Sequence, residues 1–144
     1  MSENVSTFRL YLLRALYLLN FVGLGSSVWP AIINHKGVWD PLHGVAFCFW
    51  AALSALMGVG LRYPLQMLPM LFTQLLYKSL WLIFVALPLW SAGTPSGLAR
   101  IFVMGVVADL IVIPWPYVFA SYIKKPGDRW GSLRGPVIAP EESK

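Results

Sequence analysis

Two ionisable side chains, Lys78 and Asp109, lie within long apolar segments of the sequence. Aliphatic residues lie on both sides of each along the chain: Leu75, Leu76, Leu80 and Leu82 around the lysine, and Val106, Val107, Leu110 and Ile111 around the aspartate. A charge at the centre of an apolar helix costs about 2.5–3.5 kcal/mol on insertion scales. Each group should therefore face other protein segments and find a partner there. Such a pair can hold helices in register, or it can bind or relay a proton.

The two charges are predicted to lie at one depth. Lys78 precedes the polar residue Ser91 by nearly as many residues as Asp109 follows Gly97. At a helical rise of about 1.5 Å per residue, both lie roughly 18–20 Å from the loop between Ser91 and Gly97. We therefore predict a Lys78–Asp109 ion pair, or a neutral hydrogen-bonded pair.

Other polar and aromatic side chains are expected near the same level. Gln74 lies one helical turn before Lys78 on the same face, and Tyr77 and Trp81 flank the lysine. Asn20 lies near the middle of the first apolar run. Two interpretations of this cluster stay open: a structural fastener, and a binding or proton-relay site. Arg14 is interpreted as a side chain that reaches the lipid headgroups, with partnership to Asp109 as the alternative.

The remaining candidates for chemistry are weaker. His35, Asp40 and His43 could form a metal site, but a cap on the following helix and a solvated histidine are the simpler interpretation. The sequence has no Ser/His/Asp set, no glycine-rich phosphate loop and no paired carboxylates at acid/base spacing. The single cysteine, Cys48, cannot form a redox pair and is interpreted as a packing residue. We therefore expect no cofactor and no metal, and favour a non-enzymatic protein.

The elements that must position these residues follow from composition. The 144-residue chain is 58% hydrophobic and 12% charged, with a mean hydropathy of +0.66, whereas soluble domains carry about 25% charged residues. Four apolar runs are each long enough to cross a bilayer. The sequence thus predicts an all-α integral membrane four-helix bundle over residues 1–123, followed by a basic tail over residues 124–144. The predicted spans are residues 8–33, 41–61, 65–90 and 98–122.

Prolines and small residues predict details of these spans. Asp40 and Pro41 are typical of a helix start, because aspartate caps free N–H groups and proline suits the first turn. Pro69 should lie in an early turn, Pro88 should loosen the end of the third span, and Pro114 with Pro116 should bend the fourth. Short connections make consecutive spans antiparallel neighbours. Two small-residue pairs in the second span predict close helix packing: Ala51 with Ala55, and Ser54 with Gly58.

Charge predicts orientation. Eight basic residues fall on one side of the predicted bundle: Arg9, Arg14, Arg62, Lys124, Lys125, Arg129, Arg134 and Lys144. Only Lys36 and Arg100 fall on the other. By the positive-inside rule both termini are cytoplasmic and the protein lies in the cell (inner) membrane. The predicted contacts with anionic lipid are Arg62, Lys124, Lys125, Arg129 and Trp130. The net charge of +5 is thereby explained by topology, and nucleic acid is not expected as a partner.

Several segments carry a resemblance to a known group of proteins. They are Tyr63-Pro64-Leu65, Met67-Leu68-Pro69, Tyr77-Lys78-Ser79-Leu80-Trp81, Ala86-Leu87-Pro88-Leu89-Trp90, Ile113-Pro114-Trp115-Pro116-Tyr117-Val118 and Pro126-Gly127-Asp128-Arg129-Trp130. With these the chain resembles an uncharacterised family of small bacterial four-span membrane proteins, and it is broadly similar in form to DoxX-like proteins. The resemblance implies a bacterial four-span protein and implies no activity.

Three hypotheses for function remain. The first is an accessory or assembly subunit that works as a homodimer or within a larger membrane complex. The second is a small oligomeric transporter or proton-coupled carrier that uses Lys78 and Asp109. The third is a cofactor-binding membrane redox subunit, which would give a coloured preparation.

The charge distribution makes a first testable prediction. A reporter fused after Lys144 should give a cytoplasmic signal, and a reporter inserted between Ser91 and Gly97 should give a signal from the opposite side. Alkaline phosphatase and a fluorescent protein, which are active on opposite sides of the membrane, provide the measurement. A phosphatase that is active at the C-terminus would contradict the predicted orientation.

Overall fold

The computed structural model describes residues 5–94 and 96–125, and every regular element within them is helical. The elements are α1 (Thr7–Ile33), α2 (Pro41–Gly60), α3 (Leu68–Trp81), a π-helical turn (Leu82–Ala86), α4 (Leu87–Ser91), α5 (Gly97–Val112), α6 (Trp115–Val118) and a second π-helical segment (Phe119–Lys124). The predicted all-α class is confirmed. Of the predicted tail, only Lys124 and Lys125 lie among the described residues.

Three of the helical segments are long and apolar enough to cross a membrane. They are Thr7–Ile33, Pro41–Gly60 and the continuous run Leu68–Ser91. A fourth segment consists of Gly97–Val112 and Trp115–Lys124, which meet at a bend of 71°. By length and composition the chain therefore has three candidate spans, or four if the bent pair is one span.

The helix starts follow local side-chain chemistry. The Ser6 hydroxyl accepts a hydrogen bond from the Arg9 backbone N–H at 3.3 Å, and the Asp40 carboxylate accepts one from the His43 backbone N–H at 3.0 Å. The predicted helix start at Asp40 and Pro41 is confirmed. The third helix begins at Leu68, later than the predicted residue 65. Residues 63–67 form turns instead, and the helix starts immediately before Pro69, because proline is tolerated in a first turn.

Prolines interrupt the two later candidate spans, as predicted. Before Pro88 the backbone forms the π-helical turn, in which the Leu87 N–H bonds the carbonyl of Leu82. At Pro114 the helix breaks into α5 and α6, and the predicted bend of the fourth segment is confirmed. A proline has no N–H for the carbonyl four residues earlier, so each interruption leaves carbonyls that need other partners.

Consecutive helices pack side by side. Between α1 and α2, rising residue numbers on one helix meet falling numbers on the other: Gly25 lies by Ser54, Phe21 by Gly58, and Tyr17 by Gly60. This order makes the two helices antiparallel. Helix α3 packs on α2 and on α5, and α5 also packs on α1, so the four segments close into a ring.

Small residues explain the closeness of α1 and α2. A Cβ on Gly25 would lie 2.7 Å from the Ser54 hydroxyl oxygen, which itself donates a hydrogen bond to the Phe21 carbonyl at 3.2 Å. Ser54 and Gly58 thus form a packing face, as predicted. The other predicted pair divides, because Ala51 is buried whereas Ala55 is exposed. Cys48 is also exposed, so its interpretation as a packing residue is wrong.

The core is concentrated at one end of the bundle. We call this the tail end; it contains the start of α1, residues 61–67 and residues 119–125. The opposite end, with residues 34–40, 92–94 and 96, is called the loop end. The large fully buried side chains lie mostly toward the tail end and include Leu13, Tyr17, Met57, Leu68, Leu71 and Ile113. Toward the loop end the buried apolar side chains are fewer, with Val28 and Phe102 among them.

The contact between Gly60 and Tyr17 yields a stability prediction. A Cβ at position 60 would lie inside van der Waals contact of the Tyr17 ring, which is fully buried and donates its hydroxyl to the Pro64 carbonyl at 2.9 Å. Gly60→Ala should therefore lower the free energy of unfolding by about 1–3 kcal/mol, the usual cost of overpacking. Thermal unfolding of the purified protein in detergent provides the measurement.

Gly23→Ala is the matched control. Gly23 lies within α1, and a Cβ there would meet nothing within 4 Å. This variant should be as stable as the original chain or slightly more stable, since alanine favours the helix. Equal loss of stability in the two variants would contradict the packing described for Gly60.

Candidate functional site between α3 and α5

Apart from Ser54 on α2, the buried polar residues of the described chain lie on the facing sides of α3 and α5. On α3, Leu71, Gln74 and Lys78 are buried at helical spacing, and on α5, Phe102 and Asp109 are buried. Because the two helices run antiparallel, Gln74 meets Asp109, Lys78 meets Gly105, and Trp81 meets Phe102. The sequence-predicted members Gln74, Tyr77, Lys78, Trp81 and Asp109 are thus brought together.

The Asp109 carboxylate is enclosed and bound by an amide. Its side chain has no exposed surface, and the Gln74 amide nitrogen donates to both carboxylate oxygens, at 3.3 Å and 3.2 Å. A carboxylate accepts hydrogen bonds at either oxygen, so one NH₂ group can serve both. The amide orientation follows from this, since the opposite orientation would place the Gln74 carbonyl oxygen against the carboxylate.

The predicted direct contact between Lys78 and Asp109 is wrong. No distance between the Lys78 ammonium and a carboxylate oxygen of Asp109 falls within 4.0 Å, and among the described residues the only such pair is His43 with Asp40. The lysine side chain lies instead across Gly105, where a Cβ would be 2.6 Å from Nζ. The antiparallel register therefore pairs Asp109 with Gln74 and places the lysine one helical turn farther along α3.

The hydrogen bonding of the cluster is incomplete within the protein. The Gln74 carbonyl oxygen is buried and has no hydrogen-bond partner, and it is the only buried side-chain polar atom in that state among residues 5–94 and 96–125. Lys78 makes no side-chain hydrogen bond to any described residue, although only 9% of its surface is exposed. An acceptor and a cationic donor thus lie one turn apart on the same face of α3.

Aromatic rings surround the cluster on the loop-end side. The Tyr77 ring packs edge-on against Phe49 and Phe102, with ring centroids 5.8 Å apart in both pairs, and Trp81 packs on Phe102 at 4.9 Å. Tyr77 therefore links α2, α3 and α5. Tyr77 and Trp81, which flank Lys78 along α3, both pack on Phe102.

Asn20 does not belong to the cluster. Its amide nitrogen donates to the Leu16 carbonyl of its own helix at 2.9 Å, and the side chain is half-buried. A mid-helix asparagine can satisfy its amide by this local bond, so its depth alone gave no information on its partner.

Arg14 and Arg9 bind backbone carbonyls at helix ends. Arg14 donates from Nε to the Leu61 carbonyl at 3.2 Å, at the end of α2, and so is not the alternative partner of Asp109. Arg9 donates to the carbonyls of Ile111 and Ile113, at 3.2 Å and 3.5 Å, where the last segment is broken. Both arginines thereby join α1 to another helix end, which their predicted placement at this end did not specify.

The break at Pro114 has a further partner that sequence reasoning missed. The Trp115 indole N–H donates to the Leu110 carbonyl at 2.8 Å, which is the carbonyl that a non-proline residue at position 114 would have bonded. The signal for this role was present in the sequence, because an interior proline predicts an unpaired carbonyl four residues earlier. A neighbouring donor such as Trp115 is then a natural candidate.

At the loop end, the three candidate metal ligands do not all contact one another. His43 and Asp40 contact each other at 3.0 Å, and the His43 backbone hydrogen bond, followed by its side chain, lowers the pKa of the Asp40 carboxyl. The His35 ring instead stacks on Trp39 with centroids 3.6 Å apart. Within the described residues, no group of three or more His, Cys, Asp or Glu side chains is arranged to hold a metal ion.

The predicted lipid contacts that the structure describes are exposed. Arg62 lies over the Tyr63 ring at 5.6 Å, Lys124 is the last residue of the final helical segment, and Lys125 follows it. Arg129 and Trp130 lie outside the described residues, as do Arg134 and Lys144.

Comparisons of the chain with protein-family models, with curated proteins and with solved structures found no match. The resemblance to small bacterial four-span proteins therefore stays a prediction, and the function has to be argued from the site.

The Gln74–Asp109 contact makes the second stability prediction. Gln74→Leu removes the donor to a buried carboxylate, so the free energy of unfolding should fall by about 1–3 kcal/mol or more. Gln66→Leu is the matched control, because Gln66 is exposed and the same substitution there should change stability by no more than about 0.5 kcal/mol. Thermal unfolding in detergent compares the two.

A second substitution identifies the cause of the loss. Replacing Asp109 by Leu in the Gln74→Leu chain removes the unpaired carboxylate, and the double variant should be more stable than Gln74→Leu alone. If Gln74→Leu is as stable as Gln66→Leu, the amide does not hold the carboxylate in the way described.

Proposed function

We propose that the chain is an integral membrane protein with four spans, in which the bent pair Gly97–Val112 and Trp115–Lys124 forms the fourth. The support is the surface of the bundle. Large apolar side chains point outward from every long helix, including Leu19 at 67% exposure, Phe84 at 71% and Ile111 at 66%. Monomeric soluble proteins rarely expose continuous apolar surface of this kind, because water penalises it. Lipid is the solvent that matches such a surface.

The proposed orientation has both termini in the cytoplasm and the protein in the cell (inner) membrane. Its support is that the basic side chains separate by end. Arg9, Arg14 and Arg62 lie toward the tail end, whereas Lys36 and Arg100 lie toward the loop end. The tail end would therefore face the cytoplasm under the positive-inside rule.

For function, we propose a non-enzymatic accessory or assembly subunit, which acts as a homodimer or within a larger membrane complex. The observation that carries this proposal is the enclosure of Asp109. Its carboxylate is fully buried and is bound by Gln74, whose own side chain is 1% exposed. A group enclosed in this way holds two helices in register. Partner proteins would then bind the apolar outer faces of the bundle.

One observation favours the alternative, a small oligomeric transporter or proton-coupled carrier. The Gln74 carbonyl oxygen and the Lys78 ammonium both lack a hydrogen-bond partner among the described residues, and a π-helical turn follows α3 directly. Buried ionisable groups within membranes and π-helical turns both occur frequently at functional sites. In a carrier, Asp109 would exchange Gln74 for Lys78 as its partner when the bundle opens.

Asp109→Asn separates the two proposals. The Asn side chain can still accept a hydrogen bond from Gln74, so the variant should fold and accumulate. For an accessory subunit, we expect the same crosslinked oligomer or co-purified partner as with the original chain. For a carrier, proton flux into vesicles that contain the purified protein and a pH-sensitive dye should be lost.

The double substitution Lys78→Met with Asp109→Leu completes the test. If the cluster is a fastener, apolar replacement of both charges should preserve accumulation and partner binding. Lys36→Met is the matched control for loss of one lysine, because Lys36 is exposed in the loop. Purified protein that is monomeric, and that crosslinks to nothing in native membranes, would contradict the accessory-subunit proposal.

A further inference from the structure

An apolar groove of about 510 Å³ opens at the loop end of the bundle. One wall is formed by the π-helical turn and α4, and the other by the first turns of α5. The residues that line it are Leu82, Ala86, Leu87, Trp90, Ser96, Ala99, Arg100 and Val103. The groove lies at the first turns of α5, away from the packed tail end. Its volume falls in the range of sites for small organic ligands, about 300–1,000 Å³.

The groove has a structural cause. The π-helical turn Leu82–Ala86 interrupts the regular α-helical face just where this segment passes α5, and Ala86 and Ala99 contribute little side-chain volume on the two walls. Beyond Phe102, few large side chains are buried between the helices at this end. The groove is therefore a consequence of the interrupted helix and the small residues.

Of the described residues that line the groove, only one is charged, and it is basic. Arg100 is exposed and makes no hydrogen bond or ion pair to any residue within 5–94 and 96–125, and no lining residue carries a carboxylate. The Ser96 hydroxyl accepts a hydrogen bond from the Leu98 N–H at 3.3 Å as the cap of α5. An arginine at the first turn of a helix, beside an otherwise apolar groove, complements a molecule with an anionic head and a hydrocarbon chain.

We propose that this groove binds one anionic phospholipid of the surrounding bilayer, with its phosphate on Arg100 and an acyl chain between α4 and α5. Arginine suits a phosphate because its planar guanidinium donates two parallel hydrogen bonds. The apolar walls formed by Leu82, Leu87 and Val103 suit the chain. The inference rests on the proposed membrane insertion, which places Arg100 near the headgroups.

Two matched substitutions test the groove. Arg100→Gln removes the charge at the groove, and Lys36→Gln removes the other basic residue of the loop end without touching a lining residue. Purified protein in a mild detergent is titrated with phosphatidylglycerol or phosphatidylcholine, and bound lipid is counted by native mass spectrometry. We expect one tightly retained phosphatidylglycerol on the original chain and on Lys36→Gln, and about tenfold weaker retention on Arg100→Gln.

A third variant tests the chain-binding wall. Val103→Phe adds volume at a lining residue that is 48% exposed, so the bundle should tolerate it while the groove narrows. It should weaken retention of phosphatidylglycerol although Arg100 is intact, and inorganic phosphate should not compete with the lipid. Competition by phosphate, together with unchanged retention on Val103→Phe, would show that Arg100 binds a free anion only.

Other outcomes would overturn the proposal. Equal retention of the two lipids, or equal loss in Arg100→Gln and Lys36→Gln, would show that the groove does not select an anionic lipid. Membrane insertion is tested separately by washing membranes with alkaline carbonate. A protein that is released by the wash refutes insertion itself, whereas one that stays and fails the titration refutes only the lipid site.

Discussion

The hydrogen bonds from the Gln74 amide to the Asp109 carboxylate determine how α3 and α5 lie against each other. An enclosed carboxylate without a donor costs far more than an apolar contact that is shifted by one turn. Sliding α5 along α3 by one turn would keep most apolar contacts and lose this one. The register then places Gly105 under Lys78 and Phe102 against Trp81, and the position of the groove beyond them follows.

The rest of the bundle depends on side chains that donate hydrogen bonds to backbone carbonyls where helices end or are interrupted. Pro114 leaves the Leu110 carbonyl without its helical donor, and the Trp115 indole N–H bonds it. Arg9 donates at the same break to the carbonyls of Ile111 and Ile113, the second of which also accepts the Trp115 backbone N–H. Tyr17 similarly serves Pro64 after the end of α2. In a bilayer such bonds are required, since lipid offers no hydrogen bonds to an exposed carbonyl. Arg9, like Arg14 at the Leu61 carbonyl, therefore has a structural role.

The sequence predicted most of the helical architecture, because long apolar runs, Asp40 with Pro41, and the bending prolines each have a local cause. It also identified Gln74, Lys78 and Asp109 as buried. The sequence failed to predict their pairing, because a depth counted in residues is uncertain by about one helical turn. Gln74 and Lys78 are one turn apart on α3, so this uncertainty decides which of them Asp109 contacts. Asn20 failed for another reason, since a local bond to Leu16 satisfied it. The roles of Arg9 and Arg14 depend on contacts between residues distant in sequence, which a single chain does not reveal.

The uneven distribution of buried side chains along the bundle has a consequence for its local stability. The tail end is closed by Leu13, Tyr17, Met57 and Leu71, whereas the loop end is held mainly by Val28, Phe102 and the aromatic contacts of Tyr77. Local opening costs least where few apolar contacts are lost. The amides of α4 and of the first turn of α5 should thus exchange hydrogen before those near Tyr17, so that separation of the helices begins at the loop end and stops at the Gln74–Asp109 contact.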